Sequence, residues 1–450
     1  MTNKIQIWMT VGVMLLSSCS LYQKYEAQQT VPADIMGNVA QPGDTLSLGA
    51  IDWHQLFTDP LLQELIERAL QNNTDVQQAK LTVEQAQNDL KSAQLGWFPI
   101  ISFEPSGSLT RFDGATTRSY IIPLTATWQA GIFGQVTTKK RLAKAKRQQF
   151  DDYRQAVQTA LAANVASTYY QLVMLDRVLQ ILQETQVVWE ESLEAMRVLF
   201  EAGLYMSPAV YQMEASLASV KSGIVETQET MYTTEAALCL LLSEPPHTIA
   251  RSEYGKFVMP EQLHVGLPIR LLSARPDVRQ AERNMEIAFY ESQQAKQAFY
   301  PDLTLSGTLG WSNGEGLVNP SQFLANAVAA LTQRIFTQGQ LRARYKNATI
   351  EQEKARLQFV QTLLNAGNEV YQQLRICHKT EQKAAYLTSI VNSLHEAYLG
   401  TSELMKNGTN TYVEVLKAQE DLLTAQITEV QNHFEGIQAL INLYTALGGF

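Results

Sequence analysis

Charge, cysteine and long apolar runs are all scarce in this sequence. Only 18% of the residues are charged, and the 35 basic side chains are outnumbered by 44 acidic ones. The strongly basic face of a nucleic-acid binder is therefore missing, and no nucleic acid is expected as a partner. Beyond the N-terminus no run of about 18 apolar residues occurs, which excludes a bundle of membrane-spanning helices. The six histidines, His54, His247, His264, His378, His395 and His433, show neither i,i+4 pairing nor neighbouring cysteines, so the sequence points to no metal and no cofactor. Of the three cysteines, Cys239 and Cys377 fall among apolar neighbours at different heights along their helices and read as free, buried thiols. Apolar residues are plentiful instead, 45% of 450 residues, which excludes disorder and demands a packed fold. A membrane span in such a chain must be a barrel.

Lys4 precedes a mostly apolar stretch from Ile5 to Leu16, followed by Leu16-Ser17-Ser18-Cys19. The stretch is too short to cross a bilayer and reads as a signal peptide over residues 1–18. A cysteine directly after Leu-Ser-Ser resembles a lipobox, which would make Cys19 the acylated mature N-terminus, with Ser20 directing it to the outer membrane. Small residues at Ser17 and Ser18 also fit ordinary signal cleavage.

The chain repeats itself. Asp75-Val76-Gln77-Gln78-Ala79 matches Asp277-Val278-Arg279-Gln280-Ala281, and Trp97-Phe98-Pro99 matches Phe299-Tyr300-Pro301, both at an offset of 202. Ile132-Phe133 against Ile335-Phe336 and Gly203 against Gly408 continue the register with a small drift. A period near 200 is too long for a solenoid unit and indicates two copies of one structural half. Residues 19–242 form the first repeat with its N-terminal segment. Residues 243–275, with Pro245, Pro246, Pro260 and Pro268, form a connector, and 276–450 form the second repeat.

Each half reads as a helix, two strands and a hairpin of very long helices. Val157, Leu161, Val165, Leu172, Leu175, Leu179, Leu182, Trp189, Leu193, Met196 and Phe200 step mostly by threes and fours, and Leu387, Val391, Leu394, Tyr398, Thr401 and Met405 do the same. This is a coiled-coil seam. A helix starting near Lys139 and ending near Gly203 would be about 95 Å long. The hairpins are expected over about 139–242 and 340–447. Gly203 and Gly408 suit left-handed helix ends, Ser207 or Thr411 a helix N-cap, and Pro208 the first helical residue.

Strands are expected at about 99–131 and 301–336. Leu303, Leu305, Leu309 and Trp311 alternate with Thr304, Ser306, Thr308 and Gly310. Tyr120, Ile122, Leu124, Ala126 and Trp128 alternate with Ser119, Pro123, Thr125, Thr127 and Gln129. Ten-residue segments with one apolar face and terminal aromatics match transmembrane β-strands. The Ala-rich stretch from Gln322 to Thr332 alternates poorly. Two strands per half give four per chain, fewer than any bacterial barrel can close on, because lipid tolerates no open edge. Three copies would supply twelve strands and a lumen, whereas two would supply eight and fill the interior with side chains.

At this point the sequence resembles the TolC-like outer-membrane efflux family, in its lipoprotein (NodT-type) branch serving resistance-nodulation-division (RND) pumps. The resemblance is carried by Trp53 to Phe57, Asp59-Pro60-Leu61, Asn72-Asn73-Thr74-Asp75 and Leu267-Pro268. It continues through Arg275-Pro276-Asp277-Val278-Arg279-Gln280-Ala281-Glu282, Ile335-Phe336 with Gly339, and the tips Ala202-Gly203-Leu204 and Asn407-Gly408. It implies an α+β fold, a trimeric 12-stranded transmembrane barrel continued by a periplasmic α-helical barrel, with the connector and termini forming a belt. It further implies a passive homotrimeric exit duct in outer-membrane lipid, anchored at Cys19 and performing no catalysis. The tips at Gly203, Leu204, Gly408, Thr411 and Glu414 would meet a periplasmic adaptor, and an inner-membrane RND-type pump would supply the energy.

Family members often carry acidic residues near the second tip. Here Glu414 stands in such a place, but Lys417 stands where another carboxylate would fall. Glu414 could form an anionic ring in a trimer, or complete a capping box with Thr411. Two other readings compete with the duct. One is a lipid-anchored coiled-coil scaffold or adhesin, which would not need the strands. The other is a hydrolase at Ser312, since Gly310-Trp311-Ser312-Asn313-Gly314 matches the G-x-S-x-G elbow, although that motif needs a strand leading directly into a helix.

Overall fold

A computed structural model describes residues 23–26, 53–255, 275–313, 322–407 and 411–449. The signal peptide, Cys19, Gly408 and most of the 243–275 connector lie outside the described residues. Three helices open the described chain: α1 (Trp53–Leu56), α2 (Pro60–Asn72) and α3 (Thr74–Leu95). Strands β1 (Ile100–Phe103), β2 (Ser106–Phe112) and β3 (Ala115–Ala130) follow, then helices α4 (Gln135–Glu201) and α5 (Ser207–Leu242). The second half repeats the order with α6 (Pro276–Gln297), β4 (Asp302–Ser312), β5 (Gln322–Thr332), α7 (Gln340–Lys406) and α8 (Tyr412–Ala446). Both α4 and α7 run 67 residues, about 100 Å of helix each. Their return helices have 36 and 35 residues, so the duplication persists in element lengths.

Local chemistry explains the helix starts. The Asp59 carboxylate accepts the Leu61 N–H at 3.0 Å with Pro60 in the first turn, and the Asn73 side-chain oxygen accepts the Asp75 N–H at 2.9 Å; both satisfy donors that have no partner within their helix. The repeated Asp-Val-x-Gln-Ala segment is a helix start in both halves, and it buries Val76 and Ala79 in the first and Val278 and Ala281 in the second. α4 begins at Gln135, directly after Gly134 at φ +83°, four residues ahead of the expected Lys139. At the α5 start the N-cap is Met206, with no side-chain cap bond, and Ser207 is already helical. Proline is tolerated anywhere in a first turn, so Pro208 does not oblige its predecessor to be the cap.

The chain divides into two compact units that cut across the sequence repeats. One comprises residues 1–31, 81–152 and 280–361, the other 32–80, 153–279 and 362–450. The first unit holds the whole sheet. Helix segments within it are tied by polar contacts: buried Gln297 donates to the buried Thr138 hydroxyl at 2.8 Å, Ser292 donates to Gln352 at 3.0 Å, and Lys146 pairs with Glu291 at 3.4 Å. The second unit is helical. Its interior includes Phe57, Leu62, Ile66, Val165, Tyr169, Leu172, Leu440 and Tyr444. The seam residues Leu161, Val165, Leu172, Leu175, Leu182, Trp189, Leu193 and Met196 are buried, whereas Phe200 is 43% exposed.

All strand pairs are antiparallel, and β3 lies between β4 and the β1/β2 strand, with β5 beyond β4. Five segments occupy four ladder positions because the first strand breaks at Glu104-Pro105. The register crosses the gap unshifted, with Phe103 opposite Leu124 and Ser106 opposite Ile121. Pro105 on one side and Pro123 on the other lack the N–H groups that would continue the ladder there.

Candidate functional site: a two-faced sheet and helical tips

The register sorts the sheet into two faces, because residues directly opposite each other share a side and successive residues alternate. Ile122 lies opposite Trp311 and Trp311 opposite Phe323; Leu124 pairs with Phe103 and Leu309, Trp128 with Leu305, and Ala130 with Leu303. The same face collects Ala325, Ala327, Ala329 and Leu331 from β5. The poorly alternating strand thus presents small and large apolar residues to the apolar side. The opposite face carries Thr125, Thr127, Thr304, Ser306, Thr308 and Asn326. Thr125 and Thr308 share a hydrogen bond at 3.3 Å, as do Ser108 and Ser119 at 2.7 Å.

The apolar face is uncovered. Ile101, Phe103, Leu124, Leu309, Trp311 and Phe323 are each half or more exposed. Aromatics collect at both ends of the sheet. Trp311 and Phe323 meet edge to face at 5.9 Å at one end. At the other, exposed Trp97 and Phe98 precede β1, Phe299 packs against Tyr345, and Tyr300 stacks on Phe133. Ser312 is the last residue of β4 and sits in the ladder between Ile121 and Gln322, whereas an elbow nucleophile needs a tight strand-to-helix turn. Gly310 has another use: a Cβ there would lie 2.3 Å from the Ile122 carbonyl oxygen, so the motif records a close approach of strands.

Residues 23–26 pack on helices of the same unit. Tyr25 packs on Phe289 at 5.7 Å, its N–H donates to the Tyr290 hydroxyl, and Arg141 donates to the Gln23 carbonyl. Together with α6 and α7 they border a cavity of about 710 Å³ lined by Met285, Phe289, Gln352 and Arg356.

The first helical tip, in the other unit, closes as expected at Gly203, which takes φ +75°. Its N–H donates to the Phe200 carbonyl and that of Leu204 to the Leu199 carbonyl, both at 2.9 Å; this double bond is the Schellman end that only a residue tolerant of positive φ completes easily. Leu204 is 70% exposed and Met206 81%. Behind them Trp189, Leu193, Met196, Val210, Met213, Leu217 and Leu416 form a buried cluster, with Tyr205, Met405 and Tyr412 packed on it. Arg197 pairs with Glu214 at 2.8 Å across the hairpin.

Thr411 is the N-cap of α8, but its side chain makes no cap hydrogen bond. The capping box expected of Thr411 and Glu414 is therefore absent on the Thr side. Thr411 contributes its backbone carbonyl, which accepts the Glu414 N–H at 3.2 Å. Glu414 is exposed in the first helical turn, where the helix dipole favours a carboxylate. Lys417 is neutralised by Asp421 at 2.6 Å. Gly408 lies outside the described residues.

Several tertiary polar anchors left no mark in the periodicity. Arg251 bridges Asp176 and Glu235. Tyr169 donates to Asp59 at 2.5 Å and accepts the Ser252 N–H at 2.9 Å; burial, and then the Asp59 carboxylate, pushes its phenol up to about 12. Residues of this kind are polar singletons in sequence, and only the fold brings their partners together.

Comparison with known proteins places this geometry. The sequence profile of the outer membrane efflux protein family matches residues 65–244 and 267–449. The cation efflux system protein CusC of Escherichia coli K12 is 26% identical over 454 residues, covering 97% of each chain. The probable outer membrane lipoprotein SilC of Salmonella typhimurium is 26% identical over 464 residues, covering 99% of each. In three dimensions the chain matches a crystal structure of CusC with a TM-score of 0.86 at 25% identity, covering 96% of this chain and 100% of that one. It matches the open-state MtrE outer membrane channel of Neisseria gonorrhoeae with a TM-score of 0.87 at 24% identity, covering 96% and 98%.

Proposed function

The chain belongs to the outer membrane efflux protein family and is an efflux channel of the outer membrane, and from that premise we propose that three copies close one barrel and act as a passive exit duct. The observation that carries this reading is the two-faced sheet. Its apolar face is exposed and its other face is mostly hydroxyls and amides, with Ile100, Ile121, Leu324 and Val328 among them, the outward and inward sides of a water-filled membrane barrel. Among the described residues the β1/β2 and β5 edges have no partner strand, and lipid does not tolerate open edges. Four ladder positions in each of three chains supply twelve strands and a lumen. From Tyr120 to Ala130 the apolar face extends ten residue steps, about 33 Å along the strand and about 25 Å at a barrel tilt, the height of an outer-membrane apolar band.

In this reading residues 1–18 are removed, Cys19 is acylated, and residues 23–26 are held against α4 and α6 within a few residues of the anchor. The exposed tip at Gly203, Leu204 and Met206, together with the second tip at Gly408, meets a periplasmic adaptor. An inner-membrane RND-type pump provides the energy. Glu414, unpaired with Thr411, contributes one carboxylate per subunit to an anionic entrance ring, which favours cations over anions. Glu414→Gln is expected to lower cation preference in single-channel recordings, with a loss of stability no larger than the about 0.3–1 kcal/mol of a first-turn carboxylate.

Cysteine scanning tests the two faces. In reconstituted protein, Thr308→Cys is expected to react with a charged, membrane-impermeant thiol reagent, whereas Leu309→Cys is expected to resist it and, once labelled with a fluorophore, to be quenched by a bilayer-embedded nitroxide. The reverse assignment, or equal reactivity of neighbouring positions, overturns the reading.

A further inference from the structure

The β2–β3 hairpin continues past the four-stranded part of the sheet. β4 pairs with β3 only from Ile121 onward, whereas β2 follows β3 down to Ala115 and turns at Asp113-Gly114. The two-stranded extension therefore lies at the end of the sheet away from the helices that enter at Ile100 and Asp302.

Along this extension the apolar face changes character. Tyr120, level with the Trp311–Phe323 end of the band, is followed on the same side by Arg118, which stands opposite Leu109. Arg111 lies on that side too, two residues beyond Leu109 on the neighbouring strand. Diagonal neighbours of this kind have Cβ atoms about 7 Å apart, within reach of long side chains. Both arginines are exposed, and among the described residues neither guanidinium is paired with a carboxylate. The other side of the hairpin carries Ser106, Ser108, Thr110, Ser119 and Thr117, with Ile121 and Phe112 at its two ends and no charge, so the cations are segregated to the face that is apolar lower down.

We propose that Arg111 and Arg118 form a binding site for the phosphate groups of outer-leaflet lipid, seated directly above the lipid-facing band. The proposal rests on the barrel reading, which turns this face toward lipid and the hairpin toward the cell exterior. Arg118 lies one same-face step beyond Tyr120 and Arg111 one further, about 7 and 13 Å up the strand, the depth of a headgroup layer above an aromatic girdle. Two like charges without a carboxylate between them repel, and a phosphate placed between two guanidinium forks removes that repulsion with charge-assisted hydrogen bonds. Leu109, directly opposite Arg118, and Tyr120, two residues below it on the same face, offer apolar surface to the upper acyl chain.

The test uses the full-length channel reconstituted in phosphatidylcholine vesicles doped with phosphorylated lipid A or with its dephosphorylated form. The vesicles are re-extracted in mild detergent, and the lipid A carried with the trimer is counted by mass spectrometry. The wild-type protein is expected to retain the phosphorylated lipid and lose the other, and the double variant Arg111→Gln/Arg118→Gln to bind the phosphorylated lipid about thirtyfold more weakly. Equal retention by wild type and variant, or equal retention of the two lipids, overturns the proposal. Each sample is also recorded in planar bilayers. A conducting variant with unchanged lipid retention sinks only the arginine site, whereas a wild-type protein that neither trimerises nor conducts sinks the barrel reading beneath it.

Discussion

Replacing Gly310 by alanine offers a sharp test of the strand packing. A Cβ at this position would meet the Ile122 carbonyl oxygen at 2.3 Å, the Pro123 Cα at 2.9 Å and the Ile122 carbonyl carbon at 3.0 Å. All three are backbone atoms of β3, so no rotamer change relieves the contact. Restoring ordinary separations requires the strands to part by about 1 Å, and overpacking of this kind costs about 1–3 kcal/mol in each subunit. Gly307, three residues earlier on the same strand, is the control: its nearest neighbour is the Asn326 carbonyl oxygen at 3.9 Å. Alanine fits there, and the loss of glycine's backbone freedom makes the change neutral or stabilising by up to about 1 kcal/mol. Urea midpoints of the vesicle-folded protein, read from the gel mobility difference between heated and unheated samples, separate the two. Gly310→Ala is expected to fall well below wild type and Gly307→Ala to match or exceed it. If Gly310→Ala folds as stably as Gly307→Ala, the proposed approach of β3 and β4 is wrong.

Other consequences follow from the helical unit. The Arg275 side chain, 8% exposed, donates to Asp277, Glu369 and the Ala446 carbonyl; both carboxylates are about half exposed and can turn to water, so Arg275→Ala mainly leaves the Ala446 carbonyl without its donor and is expected to cost about 1–3 kcal/mol in chemical unfolding. Burial alone would raise the Asp277 carboxyl, but the Arg275 hydrogen bonds and charge hold it below the ordinary carboxylate range. Its stabilising contribution is then complete above the unfolded pKa and lost as pH falls through the lower folded one, so acid melting curves of wild type should steepen in that window and those of Arg275→Ala should not. Met196→Ala removes a fully buried side chain behind the first tip and is expected to lower stability by about 2–5 kcal/mol with the channel still assembling. Cys239 and Cys377 are free and buried, and burial pushes the Cys377 thiol up to about 11, so maleimide at neutral pH should label both only after denaturation.

Much of this organisation is legible in the sequence because it rests on short-range periodicity. The three-four steps from Leu161 to Met196 find the seam of α4, and the alternation around Leu305 and Trp128 sorts the faces of the sheet. Gly203 is legible because one backbone conformation at a helix end demands it. Phe200 continues the seam pattern yet is exposed, since periodicity names a face and not the point where its cover stops. The Ala-rich β5 hides its alternation because alanine is accepted on both faces, and only its pairing with Leu303, Leu305 and Leu309 reveals the register. The Thr411 cap fails for a related reason: sequence identifies a residue able to cap, whereas the side-chain torsion is settled by the surrounding tip. The bonds of Arg251 to Asp176 and of Tyr169 to Asp59 and Ser252 join residues more than 70 positions apart and have no local signature.

The account depends most on separate subunits completing one cylinder in lipid. Planar-bilayer recording of purified, reconstituted protein whose subunit number is fixed by native mass spectrometry tests this directly. Assemblies of three chains with a reproducible unit conductance are the predicted result, and conducting monomers, or inserted trimers that never conduct, would contradict it.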